Sequence, residues 1–139
     1  MKKFTKQISE IIIHCTATPA GRDLHAVDIT RYHRERGFET IGYHYLVTID
    51  GMVEQGRAPE YIGAHCLGHN DRSIGVAYVG GTTADMKPAD TRTDAQRRAL
   101  GKLVAELRRR YPRATIHGHC EFAAKACPCF DAKAEYATL

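Results

Sequence analysis

The chain has 139 residues, 43% hydrophobic and 26% charged, which allows one buried core and reads as an ordinary globular protein, not a disordered one. A net charge of +4 suits an anionic partner such as nucleic acid, an acidic membrane surface or an acidic polymer, but it also describes an ordinary solvated surface. No apolar run approaches membrane-spanning length, and the opening MKKFTKQISEIII lacks the apolar centre of a signal peptide. Synthesis in the cytoplasm is therefore expected, with any extracellular target reached by release or lysis.

Neither a repeat nor a low-complexity linker interrupts the sequence, so residues 1–139 read as a single domain. Ile8–Cys15 carries the β-branched run of a buried strand, and Thr16–His25, with its Pro, Gly and Asp, is a loop. Val27–Gly37 reads as a helix, served at its start by Asp28 and stopped by Gly37. Ile41–Gly56 reads as two strands around an Asp50–Gly51 hairpin turn, with Tyr43 and His44 in the first of them. Arg72–Gly81 is apolar on both faces, as a central strand is. Thr93–Pro112 is the clearest helix, with a Thr93/Gln96 capping box and an apolar stripe of Leu100, Leu103, Val104, Leu107 and Tyr111. Its terminal Arg108–Arg110 run complements the helix dipole and so has a structural reason. A short strand over Arg113–His119 and a last helix near Asp131 complete the order. That order predicts an α/β (mixed α+β) fold, a central mixed sheet flanked by helices.

The residues that could carry chemistry gather near strand ends. His14 ends the first strand, His119 follows the last, and Cys127 lies eight residues beyond. Two imidazoles and a thiolate form a borderline-soft donor set for zinc, and three protein ligands leave a fourth position open, as in a catalytic site. The stretch HCEFAAKACPCFD admits other readings. Its CPC has one intervening residue, not the two of a thioredoxin-type motif, and a structural zinc knuckle would be an irregular one. Five cysteines cannot all pair, and in a reducing compartment they read as thiols or metal ligands. Cys15 and Cys66, beside apolar segments, read as small buried hydrophobes. Tyr43 could be no more than a half-buried aromatic, and Lys125 no more than a solvated lysine.

Four blocks, IIIHCTAT, IGYHYLVTIDGMVEQGR, GAHCLGHNDRSIGVAYVGG and HCEFAAKACPCFD, together resemble the zinc-dependent N-acetylmuramoyl-L-alanine amidases of type 2, whose fold peptidoglycan recognition proteins share. Within that family they are most similar to the phage amidase lysozymes of the T-seven group. The resemblance runs collinearly from Ile8 to Asp131. It implies one Zn2+ per chain on His14, His119 and Cys127, with Tyr43 and Lys125 as catalytic partners that do not bind metal. It also implies a zinc cleft on one side of the sheet, with His65 and Asn70 lining it as substrate-binding residues. Ala124, Cys129 and Cys120 depart from the phage pattern of Pro, Ser and His, and none of these changes removes a ligand.

The implied function is hydrolysis of the amide between N-acetylmuramic acid and the L-alanine of peptidoglycan, by a monomer that needs neither nucleic acid nor membrane insertion. The alternative is a recognition module that binds peptidoglycan without cutting it; such relatives commonly lack the cysteine ligand, and Cys127 is present here. A nucleic-acid binder would rest on charge alone. A glycosidase would need two paired carboxylates, and nothing marks Glu54 and Glu121 as a pair.

Overall fold

The isoleucine run builds the centre of the molecule. In a computed structural model describing residues 1–139, strand β1 spans Glu10–Cys15 and Ile11, Ile12 and Ile13 have no exposed surface. The chain continues through β2 (Thr18–Pro19), α1 (Ala26–Glu35), β3 (Tyr45–Val47), β4 (Val53–Gln55), β5 (Ser73–Tyr78), β6 (Gly81–Thr82), α2 (Asp94–Arg110), β7 (Thr115–Gly118) and α3 (Ala132–Glu135). The main sheet has the order β4-β3-β5-β1-β7. β1 pairs in parallel with both β5 and β7, β3 is parallel to β5, and only β4 runs antiparallel. Parallel strands covered on both faces need continuous apolar sequence, which is why β1 and β5 show no polar alternation.

The two faces of this sheet are used differently. Ile11 and Ile13 of β1 and Ile74, Val76 and Tyr78 of β5 meet Leu100, Leu103, Val104 and Leu107 of α2 in the larger core cluster. Truncating one such leucine to alanine would cost on the order of 3 kcal/mol. On the opposite face α1 covers only one part, packing Ile29 against Leu46, Ala77 and Val79. That face also carries His14, which alternates with Ile13 and Cys15 along β1. This is the expected single-domain mixed sheet flanked by helices.

Local chemistry sets the element ends. The capping box of α2 is present: Thr93 Oγ1 accepts the Gln96 N–H at 3.1 Å, and Gln96 Oε1 accepts the Thr93 N–H at 2.9 Å. Asp28 serves α1 by accepting the His25 N–H at 2.9 Å. Gly37 closes α1 at φ +94°, donating to the Arg34 carbonyl at 3.0 Å. The hairpin differs from the two-residue turn expected at Asp50–Gly51. Pairing runs to Val47–Val53, and the Thr48 N–H reaches the Met52 carbonyl at 2.9 Å, leaving a three-residue loop. Thr48 Oγ1 stabilises the wider loop by accepting the Met52 N–H at 3.1 Å and donating to Asp50. Tyr43 and His44 also lie just before β3 rather than within it.

Candidate active site

Parallel pairing of β1 with β7 brings two histidines distant in sequence to one end of the sheet. The His14 and His119 ring centroids are 4.6 Å apart. After β7 the chain makes a 3-10 turn over His119–Glu121 and loops back, and the Cys120 N–H donates to the Cys127 carbonyl at 2.8 Å. The Cys127 thiol thereby stands 3.8 Å from His14 Nδ1 and accepts the Cys15 N–H at 3.2 Å. Donor atoms of His14, His119 and Cys127 all lie within 4.8 Å of one another, and these three groups could hold a metal ion.

Electrostatics favour ligand forms of both imidazoles. Burial, then the neighbouring His65, His119 and Lys125, holds His14 well below the ordinary histidine range. His119 is lowered by burial and by Lys125. Both rings are therefore neutral at pH 7, with a lone pair available. Burial pushes the Tyr43 phenol upward, so it keeps its proton. Its ring lies 5.2 Å from that of His14 and 5.2 Å from that of His33. Lys125 is exposed at the rim.

A cleft of about 550 Å³ opens beside these groups, lined by Arg36, Phe38, His65, Leu67, Asn70, His119, Phe122 and Lys125, among others. His65 and Asn70 thus line the cleft as expected, but both are also engaged in the wall. Asn70 Oδ1 accepts the N–H groups of His65 and Cys66, each at 2.9 Å. His65 Nδ1 is 2.9 Å from His14 Nε2. Glu54 and Glu121, weighed as a glycosidase pair, are committed elsewhere. Glu54 binds His25 at 2.7 Å beside α1, and Glu121 binds His117 at 2.9 Å beyond the opposite edge strand.

Some supports lay outside the sequence reading. Cys15 is buried as expected, yet its N–H contacts the Cys127 sulfur. Tyr78 Oη donates to the Pro128 carbonyl at 2.7 Å, and the Arg92 guanidinium lies 3.3 Å from the Phe130 ring centroid while pairing with Asp90 and Glu135. Such anchors link segments far apart in sequence, and only a buried arginine's need for partners could have pointed to them.

Residues 4–130 match the family profile described as N-acetylmuramoyl-L-alanine amidase (Amidase_2). This chain belongs to that family. The endolysin of Klebsiella phage KP32 is 41% identical over 94% of this chain and 88% of its own length. The endolysin of Escherichia phage T7 is 39% identical over 88% and 82%. Among solved structures, Drosophila PGRP-LB superposes with a TM-score of 0.79 at 26% identity, covering 99% of this chain and 84% of its own. The amidase LysC of Clostridium intestinale shares the fold at a TM-score of 0.77 and 24% identity, over 97% and 89%. The activity is that of a peptidoglycan amidase, which cleaves the bond between N-acetylmuramic acid and L-alanine.

Proposed function

We propose that His14, His119 and Cys127 hold one Zn2+ per chain, and that Tyr43 and Lys125 act on the substrate without binding metal. The observation that carries this reading is the convergence of three donor atoms within 4.8 Å in a chain of an amidase family. The donor set suits zinc. Bonds of about 2.0 Å to nitrogen and about 2.3 Å to sulfur in a tetrahedron put ligand atoms roughly 3.5 Å apart. The 3.8 Å between Cys127 Sγ and His14 Nδ1 needs only a small adjustment to reach that.

Zinc, when bound, supplies Lewis acidity, which polarises a carbonyl oxygen and makes water a stronger acid. The chain's own residues do the rest. The neutral Tyr43 hydroxyl both donates and accepts, so it can orient the attacking water or move a proton at Oη. The Lys125 ammonium, at the rim, offsets negative charge that develops on the scissile carbonyl oxygen. Phe38 and Phe122, both half-buried, give the cleft an apolar wall, and His65 and Asn70 shape the wall that faces the substrate.

The domain acts as a monomer on peptidoglycan, with no nucleic-acid partner. No helix is long and apolar enough to cross a membrane. The endolysin relatives support synthesis in the cytoplasm and arrival at the wall on lysis.

The products decide the matter. Digested peptidoglycan should gain N-terminal alanine and no reducing sugar, and a zinc chelator should suppress the reaction. Reducing ends without new amines would overturn the amidase reading. Zinc-loaded protein that binds peptidoglycan and releases neither product would favour a recognition module.

A further inference from the structure

His14 has two ring nitrogens, and only Nδ1 faces Cys127. The other, Nε2, is 2.9 Å from His65 Nδ1, with the two rings nearly perpendicular at 89°. His65 Nε2 is in turn 3.2 Å from Ser73 Oγ, and that hydroxyl is 2.8 Å from the His69 carbonyl. Counting protons along this chain fixes every direction. A carbonyl only accepts, so Ser73 spends its single proton on His69. Ser73 Oγ must then accept from His65 Nε2–H. A neutral His65 so protonated has its lone pair at Nδ1, and His14 must donate through Nε2–H. The His14 lone pair is left at Nδ1, the atom that faces Cys127.

The position of the His65 ring is built in. A Cβ at Gly75, in the middle of β5, would lie 2.6 Å from that ring, so this glycine is the socket that admits it. Asn70 fixes the backbone on the other side, taking the His65 N–H.

We propose that His65 is a positioning residue for the metal site, a neutral imidazole that accepts the Nε2 proton of His14 and so presents His14 Nδ1 to the ion. The proposal rests on the zinc reading given above. Hydrogen bonds to the far nitrogen of a ligating histidine fix its tautomer and orientation, and their loss costs about ten- to a hundredfold in metal affinity.

The test pairs zinc affinity, from competition with a chromophoric chelator, with the tautomer of His14, from nitrogen–proton correlation spectra of zinc-free protein. His65→Leu removes the acceptor and keeps bulk. It should weaken zinc binding about tenfold or more and give a mixture of His14 tautomers. His65→Asn places an oxygen where Nδ1 stood and should restore affinity to within about threefold of wild type, a rescue that simple space-filling by Leu cannot match. Should His65→Leu fail to fold, Ser73→Ala carries the test, since it frees the His65 proton and should scramble the His14 tautomer. Zinc lost in His119→Ala but held unchanged by His65→Leu, or a His14 tautomer unchanged in Ser73→Ala, would overturn this proposal alone. Zinc held equally by wild type and His119→Ala would overturn the metal-site reading and this proposal with it.

Discussion

His14 and Cys127 lie 3.8 Å apart and are held by opposite means. His14 belongs to a strand with a parallel partner on each side, on a sheet whose other face is packed against α2. Cys127 belongs to a loop with a single backbone tie to the end of β7, from the Cys120 N–H, and side chains do most of the holding: Tyr78 on the Pro128 carbonyl, and Arg92 over Phe130 between Asp90 and Glu135. Backbone ladders fix a ligand through many small contributions that no single substitution removes. A loop anchored by a few long-range contacts depends on each of them.

Replacing either ligand tests this contrast most severely. His14→Ala and Cys127→Ser should both abolish zinc binding and activity. In zinc-free protein only His14→Ala should cost stability, about 2 kcal/mol for the cavity and for the partner left on His65. Urea unfolding in chelator measures it, and equal losses in the two variants would break the comparison.

Acid should weaken the face that carries His14. Burial holds His33 and His44 at about 4, below the ordinary value of 6.5. Each is neutral when folded and takes up a proton more readily when unfolded. Their contribution is therefore complete above pH 6.5 and is lost as pH falls from there to about 4, on the order of 3 kcal/mol each. Unfolding free energies of zinc-free protein at pH 7 and pH 4.5 should differ accordingly, and a flat profile would refute the burial argument.

Arg92→Ala removes the main side-chain anchor of the loop. Its guanidinium side chain is 1% exposed, and its loss leaves Glu135 unpaired and Asp90 with Arg97 alone, at 3.1 Å. A cost of about 3 kcal/mol is expected, with weaker zinc binding as the loop loosens. Calorimetry with and without zinc separates the two effects, and normal zinc affinity in the variant would mean that the loop does not need this anchor.

Tyr43→Phe and Lys125→Ala should keep zinc and lose turnover by on the order of a hundredfold. Metal analysis beside amine-release rates checks both, and near-normal rates would remove these residues from the mechanism. Smallest of all, Cys129→Ser should leave zinc affinity and rate within about threefold, since the thiol's contact is to the Gly81 carbonyl at 3.4 Å, which a hydroxyl also satisfies. A marked loss of zinc in a titration would instead revive the zinc-knuckle reading of the HCEFAAKACPCFD stretch.

The strand-borne half of the site was legible because its signals are local. The isoleucine run placed His14 at a strand end, and the Thr93 capping box placed α2. The loop-borne half was legible as a donor set, two imidazoles and a thiolate, and through the family resemblance, but nothing in the spacing of His119 and Cys127 says that the chain turns back on itself. The hairpin loop was misjudged by one residue because Thr48 competes for the turn through its hydroxyl. The part played by His65 was hidden for another reason. Nothing in an apolar strand says that Gly75 leaves room for an imidazole from a distant loop.

The double pairing of β1 also has a kinetic side. Amides in a strand bonded on both edges exchange with solvent only when much of the sheet opens, whereas a loop held by side chains opens locally at far lower cost. His14 therefore keeps its place on the timescale of global unfolding, and Cys127 moves on the faster timescale of its loop. An ion leaving this site would depart by way of the cysteine, with β1 and β7 still paired behind it.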